Sequence, residues 1–428
     1  MGLVTAWYLA KAGVRVTVFE KEEEVGGLSR SEEIMSGLQW DRFYHVILST
    51  DAELLGFLDE IGLSSQVYFK ETKTGFFTHG RLHSVSSTSE FLRFKPIPLW
   101  NKLRLGAGIL YATRLDNSRR LESVSAKVWL TKVFGRMNYE NFWEPLLRSK
   151  LGTASDQASA SFIWACINRL YGTRQKSSKR EMLGCVQGGY HKILSHLHEN
   201  LVKIGVRILV NHKVQRIEPM AGDKISLRCN GNKTLDYDRV VSTVPSPEVL
   251  RFWEDMPHEY RNRLDKVRYL DLICATLVLE KSLSPFYITN LIDSGFPFTG
   301  LIEATHVIPA EMLGNKGLVY LPRYMAPNDS FGENSDERVV EIFLGALKRI
   351  FPDFSDKDVV VKLVHRESNV QPIQETDYSL SIPPMGTPLK NFYLANTTMI
   401  HNSTLNNNEV VRLAREIAGL LLKDVNQA

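Results

Sequence analysis

The chain opens on an apolar stripe at helical spacing. Leu3, Ala6, Leu9 and Ala10 share one face between Gly2 and Ala12, and Gly13 ends the pattern. The following Val14–Phe19 (VRVTVF) is a β-branched run suited to a strand buried on both faces. Helical periodicity returns over Asp51–Ile61, with Asp51 as its expected cap, and Gly75–Val85 reads as a hairpin turning at Gly80. From Pro96 to Leu151 the pattern is mostly helical, with segments at Leu99–Arg114, Ala126–Phe134 and Tyr139–Leu151. A Gly-Gly turn at Gly188–Gly189 opens another amphipathic helix. Strands separated by turns follow Gly205, and residues 250–365 alternate strands with helix, including Glu337–Ile350. Phe392–Ala395 is a short buried strand. It leads through a polar loop to a helix faced by Val410, Val411, Leu413, Ala414, Ile417, Ala418 and Leu421, with Asn408 as the expected N-cap.

The order helix, glycine turn, strand, acid is the second half of a dinucleotide-binding βαβ unit. Gly2 stands where the last glycine of the fingerprint lets helix and strand pack closely. Glu20, 18 residues on, stands where an acid holds ribose hydroxyls. The strand and glycines that open such a unit do not precede Gly2. The expectation is therefore that the reading frame begins upstream and that Met1 is an internal residue.

Composition narrows the picture. With 43% apolar and 23% charged residues over 428 positions, the chain has an ordinary globular balance and room for two intimate domains. A formal charge of only +4 argues against a dedicated nucleic-acid binder. Cys166, Cys185, Cys229 and Cys274 are far apart and form no C-x-x-C pair, which predicts reduced thiols and neither zinc nor a disulfide framework. His191, His196 and His198 read as a solvated helix face, with no metal expected. The start lacks a basic leader, and the longest apolar run, Leu105–Ala112, is too short to span a bilayer. A cytoplasmic protein is expected, at most peripheral to a membrane. The apolar and basic stretch Leu99–Arg114 either lies on a membrane surface or packs on its own core.

Six residues after Glu20 comes Gly26–Gly27, followed by Leu28 and Arg30. Bare backbone can approach a diphosphate here while a guanidinium neutralises it. This E-x5-G-G-L-x-R spacing resembles the second dinucleotide motif of the FAD-dependent amine oxidase, protoporphyrinogen oxidase and phytoene desaturase superfamily. Further matches lie in Val214 of KVQRI, in Asp236–Pro245, and in Asn391–Ala395 with the helix after it. Asp41 and His45 match the ends of that superfamily's "D-x-G-G-H" segment, while Arg42, Phe43 and Tyr44 replace its interior. Asn396 stands where aspartate is usual.

The resemblance implies an α/β fold with an α+β substrate domain. A Rossmann-like FAD-binding domain lacking its first strand (1–70, 186–250 and 366–428) would be interleaved with a sheet-plus-helices substrate domain (71–185 and 251–365). It implies FAD held by Gly2, Glu20, Lys21, Gly26, Gly27, Leu28, Arg30, Val214, Asn396 and Asn408, and a small-molecule substrate met by His45, Tyr320 and Arg323. The implied reaction is hydride transfer from an amine, polyene or porphyrinogen-like carbon to flavin. A flavin-dependent sugar-nucleotide mutase and a non-catalytic scaffold remain alternatives. Without the opening strand, weak flavin binding and poor stability are expected.

Overall fold

The computed structural model describes residues 1–115, 119–172, 181–230 and 233–426. One half of the molecule is built on parallel pairs. The helix Gly2–Lys11 leads to the strand Thr17–Phe19, which pairs in parallel with Arg207–Leu209. Val240–Ser242 pairs in parallel with Phe392–Leu394. Three helices cover these strands: Gly2–Lys11, Gly189–Lys203 and the long Asn407–Asn426. Leu3, Ala6 and Trp7 interlock with Phe57, Ile193, Leu197, Val411 and Ala414, so the first apolar stripe is buried as its spacing predicts. A three-stranded antiparallel sheet, Val214–Pro219, Ile225–Cys229 and Lys233–Tyr237, flanks this half.

The other half is a seven-stranded mixed sheet. Its order is Val359–Pro372, Tyr269–Leu279, Gly317–Met325, Gly300–Glu303, Ile288–Leu291, Thr74–Thr78 and Arg81–Ser84. The strand Val359–Pro372 runs unbroken across residue 366 and belongs to this sheet along its length. The expected hairpin is present and turns at His79–Gly80, both at positive φ, with their amides held by the Asp293 carboxylate at 2.8 and 2.9 Å. On one face lies the helix Asp336–Ile350, capped by Ser335 and packed on Leu277, Val319 and Leu321. On the other face Leu272, Cys274, Leu318 and Tyr320 meet Trp40, Phe43 and Leu48 from the first half. Helices Leu99–Ala112, Ala126–Phe134, Glu144–Leu151 and Ala160–Gly172 form a cap over one end.

Among the described residues no helix is long and apolar enough to cross a membrane. Among the same residues no group of three or more His, Cys, Asp or Glu is set to hold a metal. All four cysteines are free thiols.

Candidate functional site

The strand Thr17–Phe19 delivers Glu20 to the end of its ladder, where the Glu20 amide donates to the Leu209 carbonyl at 2.9 Å and its carbonyl accepts from His212 N at 2.8 Å. The Glu20 carboxylate accepts from the Glu22 amide at 3.1 Å, and the Glu22 carboxylate stands 3.5 Å from Arg30 Nη1. Glu20 and the glycine loop therefore occupy one side of the molecule, one residue apart through Glu22. Lys21 is largely exposed, 3.5 Å from Glu22.

Gly26 sits at φ 131°, and a Cβ there would meet Leu194 Cδ1 at 2.7 Å and Arg30 Cγ at 3.0 Å, so only glycine fits. Gly27 is also at positive φ, but nothing lies within 4 Å of the place its Cβ would take. Leu28 anchors the loop in the apolar cluster around Ile34 and Trp40. Arg30 is left with a buried Nε that has no hydrogen-bond partner. Gly27 and Arg30 open onto a cleft of about 1060 Å³ whose far wall is Val359–Pro372 and Asp336–Ile350. The open cradle and the unsatisfied guanidinium nitrogen fit a diphosphate.

Gly2 starts its helix with no side-chain cap and no acid in the first turn, and a Cβ on it would stand 3.2 Å from Thr243 Oγ1. Val214 is half-buried and packs in the cluster that contains Phe19 and Tyr237, next to the strand that ends at Glu20.

The C-terminal end of the predicted site is arranged differently. Asn396 is buried, and its amide nitrogen donates to the Val244 carbonyl at 2.9 Å and to Ser246 Oγ at 3.4 Å. Its oxygen accepts from Thr398 N at 3.0 Å and from the Thr398 hydroxyl. Two donors and two acceptor sites are all an amide has, so Asn396 is saturated by its own chain.

Asn408 was expected to cap its own helix, but Asn406 Oδ1 does so, accepting from Glu409 N at 3.0 Å. Asn408 Oδ1 accepts instead from Glu53 N and Leu54 N at 2.9 and 3.1 Å, capping the helix Ala52–Glu60. Asp51, the expected cap there, is tied away: its carboxylate accepts from Leu48 N at 2.9 Å and pairs with Arg169 at 2.7 Å.

Between these ends lies an aromatic box. Tyr320 is fully buried in mid-strand, and its hydroxyl donates to the Asp41 carbonyl at 2.6 Å. Arg323 is three residues on, so the pleat turns it to the opposite face. There it pairs with Asp329 at 3.1 Å and lies over the Phe331 ring. The expectation that Tyr320 and Arg323 line one pocket is thus corrected by strand geometry. Tyr324 faces the Tyr320 side, and its hydroxyl meets that of Tyr44 at 3.1 Å. Trp40, Tyr44, His45, Cys185, Tyr287 and Tyr320 line a partly open cavity of about 10 Å³.

His45 Nδ1 donates to the Phe43 carbonyl at 2.9 Å and its ring packs 4.7 Å from Tyr190. Desolvation lowers its pKa to about 4, so it is neutral at pH 7. Asp41 fastens this box to the Gly-Gly turn. Its carboxylate accepts from Ser31 Oγ and from Tyr190 N, both at 2.9 Å, and a Cβ on Gly189 would approach it to 3.1 Å. Burial raises the Asp41 pKa to about 7, against the pull of those hydrogen bonds. Burial likewise pushes Tyr44, Tyr287 and Tyr320 upward and Cys185 to about 12. Tyr44, His45, Cys185, Tyr287 and Tyr320 are therefore neutral at pH 7, while Asp41 beside them is about half ionised there. Tyr44 and Tyr287 are not singled out by the sequence, whereas Tyr324 reads with Tyr320 and Arg323 as a residue that could line a pocket. Strand alternation keeps Tyr324 on the side of Tyr320 and separates both from Arg323.

This fold matches solved structures of oxidases along nearly its whole length. One is a candidate protoporphyrinogen oxidase from Exiguobacterium sp. 255-15, with a TM-score of 0.74 at 16% identity, covering 98% of this chain and 96% of that one. Another is putrescine oxidase bound to putrescine, with a TM-score of 0.72 at 14% identity, covering 98% and 96%. A third is cyclohexylamine oxidase from Brevibacterium oxydans, with a TM-score of 0.70 at 12% identity, covering 99% and 97%. At these identities the likeness is one of fold. No curated protein matches the chain in sequence. Residues 2–406 match the flavin containing amine oxidoreductase family, and the chain belongs to that family. Membership makes it an oxidoreductase of the flavin-using kind.

Proposed function

We propose that the chain binds FAD and oxidises a neutral, largely apolar substrate by hydride loss from carbon, a polyene or porphyrinogen-like molecule rather than a charged amine. The observation that carries the cofactor reading is the pairing of Glu20 with the open Gly27–Arg30 cradle on one side of the molecule. Glu20 would hold ribose hydroxyls, and the Gly27 backbone with Arg30 would hold diphosphate oxygens. Gly2, at an uncapped helix N-terminus, would add dipole stabilisation to the same anion. When bound, flavin supplies the two-electron acceptor for the substrate's hydride. The chain's own residues bind, orient and exclude water.

The substrate class is supported by the make-up of the aromatic box, whose void of about 10 Å³ holds no more than a water and must widen to admit a substrate. Tyr44, Tyr287 and Tyr320 offer ring faces and neutral hydroxyls, Tyr324 meets the Tyr44 hydroxyl, and His45 is uncharged at neutral pH. Hydride loss to flavin leaves a cationic carbon that must also release a proton, to solvent or to the neutral His45 imidazole, which stands 3.9 Å from Asp41.

The test is reconstitution of the purified chain with FAD, followed by anaerobic mixing with a polyene, a porphyrinogen or a primary amine. Bleaching of the bound flavin by one of the first two supports the reading. Bleaching by the amine alone overturns the substrate class. Absence of FAD binding at any concentration overturns the cofactor reading and leaves a scaffold.

A further inference from the structure

The cap helix Leu99–Ala112 is apolar on two sides. One side, formed by Leu105, Gly108 and Ala112, is buried against Trp129, Leu130 and Phe134. The other side is exposed. Leu99 is 62% exposed, Trp100 77%, Leu103 52%, Leu110 44% and Tyr111 50%. At 100° per residue these five fall within one third of the helix circumference, so they form a continuous stripe. Scattered exposed apolar residues are ordinary, whereas a contiguous aromatic and aliphatic stripe on one helix marks a contact surface.

Charge says what that surface contacts. Residues 91–135 carry nine Lys and Arg against two Asp and Glu, a net +7, while the whole chain is only +4, so the rest of the chain sums to −3. Arg93, Lys95, Arg114, Arg120, Lys127 and Lys132 are exposed. Of the two acids, Glu122 is buried, and Asp116 lies outside the described residues. A second copy would set cationic surface against cationic surface. An aliphatic and tryptophan stripe with cations around it suits a flat, anionic, apolar-cored partner.

We infer that this face docks on the surface of a bilayer containing anionic phospholipid. Leu99, Trp100 and Leu103 enter the acyl boundary, and the surrounding cations meet headgroup phosphates and carboxylates. The cap's buried cluster reaches Tyr324, so docking turns the cap and the aromatic box behind it toward the source of an apolar molecule. The inference stands on the stripe and the charge distribution, and it does not depend on flavin binding.

The test is co-flotation of the full chain with phosphatidylcholine vesicles made with or without phosphatidylserine, at low and high salt. Flotation with the phosphatidylserine vesicles, weakened by salt, is expected. The triple variant Leu99→Ser, Trp100→Ser, Leu103→Ser is expected to partition ~100-fold less while keeping its near-ultraviolet circular dichroism. These side chains lie outside the core, so folding is not at stake. A blue shift of tryptophan emission on vesicle addition, lost in Trp100→Phe, is the second readout. Failure of the parent chain to float, or equal flotation of the triple variant, overturns the inference. A dimer in light scattering that the triple variant splits, without flotation, assigns the stripe to a second copy and overturns it too.

Discussion

The two ends of the candidate cofactor site spend their polar groups in opposite ways. At the glycine loop, Gly27 faces open space and Arg30 keeps a buried nitrogen without a partner. At the C-terminal end, Asn396 uses both donors and both acceptor sites on its own chain, and Asn408 caps a helix 355 residues away in sequence. Both ends were expected to hold the same cofactor, yet the first presents an unpartnered guanidinium nitrogen while the second is closed at Asn396 and has its Asn408 oxygen committed. A polar residue at a matching position informs about ligand binding only once its hydrogen bonds have been accounted for.

The largest effect should come from Asp41, which ties the segment after the glycine loop to the Gly188–Gly189 turn. Its folded pKa of about 7 lies above its ordinary 3.8, so the fold favours the protonated acid. That contribution is fully present below about pH 4 and is lost as pH rises through about 7. The span corresponds to about 4 kcal/mol for this buried group. Asp41→Asn should flatten the denaturant midpoint between pH 4 and pH 8. An unchanged pH slope in the variant would show that Asp41 ionises in the fold as it does in the unfolded chain.

Next comes Asn396→Ala. It strands Thr398 N and the Val244 carbonyl in a buried site, which should lower stability by about 3 kcal/mol in urea melts. Flavin affinity of the folded fraction should change little, because no amide hydrogen is left to reach a ribityl hydroxyl. A variant of normal stability with much weaker flavin binding would reverse the contrast between the two ends.

Arg30→Ala is the mirror experiment. Arg30 contributes one ion pair, at 3.5 Å, to a half-exposed Glu22, so its loss should scarcely move the melting temperature. Affinity for FAD should fall by about 2 kcal/mol, the worth of a charge-assisted hydrogen bond. Titration of flavin fluorescence on parent and variant measures it.

How far this contrast could be read from the sequence depends on the range of the interactions. Periodicity found the helices at Gly2, Asp51, Gly189 and Asp336, because apolar spacing is a local property. The E-x5-G-G-L-x-R loop was also legible, since the positive φ at Gly26 and its closeness to Arg30 are local demands, although the tightest contact there, with Leu194, is not. The amide of Asn408 points to Glu53, and nothing near Asn408 in sequence carries that information. Asp51 looks like a cap by type and position, but Arg169, 118 residues on, claims its carboxylate. For Tyr320 and Arg323 the separating principle was local after all, since an odd offset in a strand places two side chains on opposite faces. The double apolar character of Leu99–Ala112 was visible, but only packing reveals which side remains outside.

The smallest effect is the most discriminating for the C-terminal end. In Asn408→Ala the amides of Glu53 and Leu54 lose their acceptor, and Asp51 cannot replace it while it holds Leu48 N and Arg169. The loss should be about 1 kcal/mol, typical of an N-cap, and should appear as a lower thermal midpoint. Asn406→Ala should cost about the same, because it removes the cap of Asn407–Asn426 at Glu409 N. If Asn408 serves only the helix Ala52–Glu60, the two variants should be alike in stability and both should bind FAD like the parent. If Asn408 also reaches a ligand through its free amide hydrogens, Asn408→Ala alone should weaken binding, and the division between an open glycine end and a closed C-terminal end would have to be redrawn at that residue.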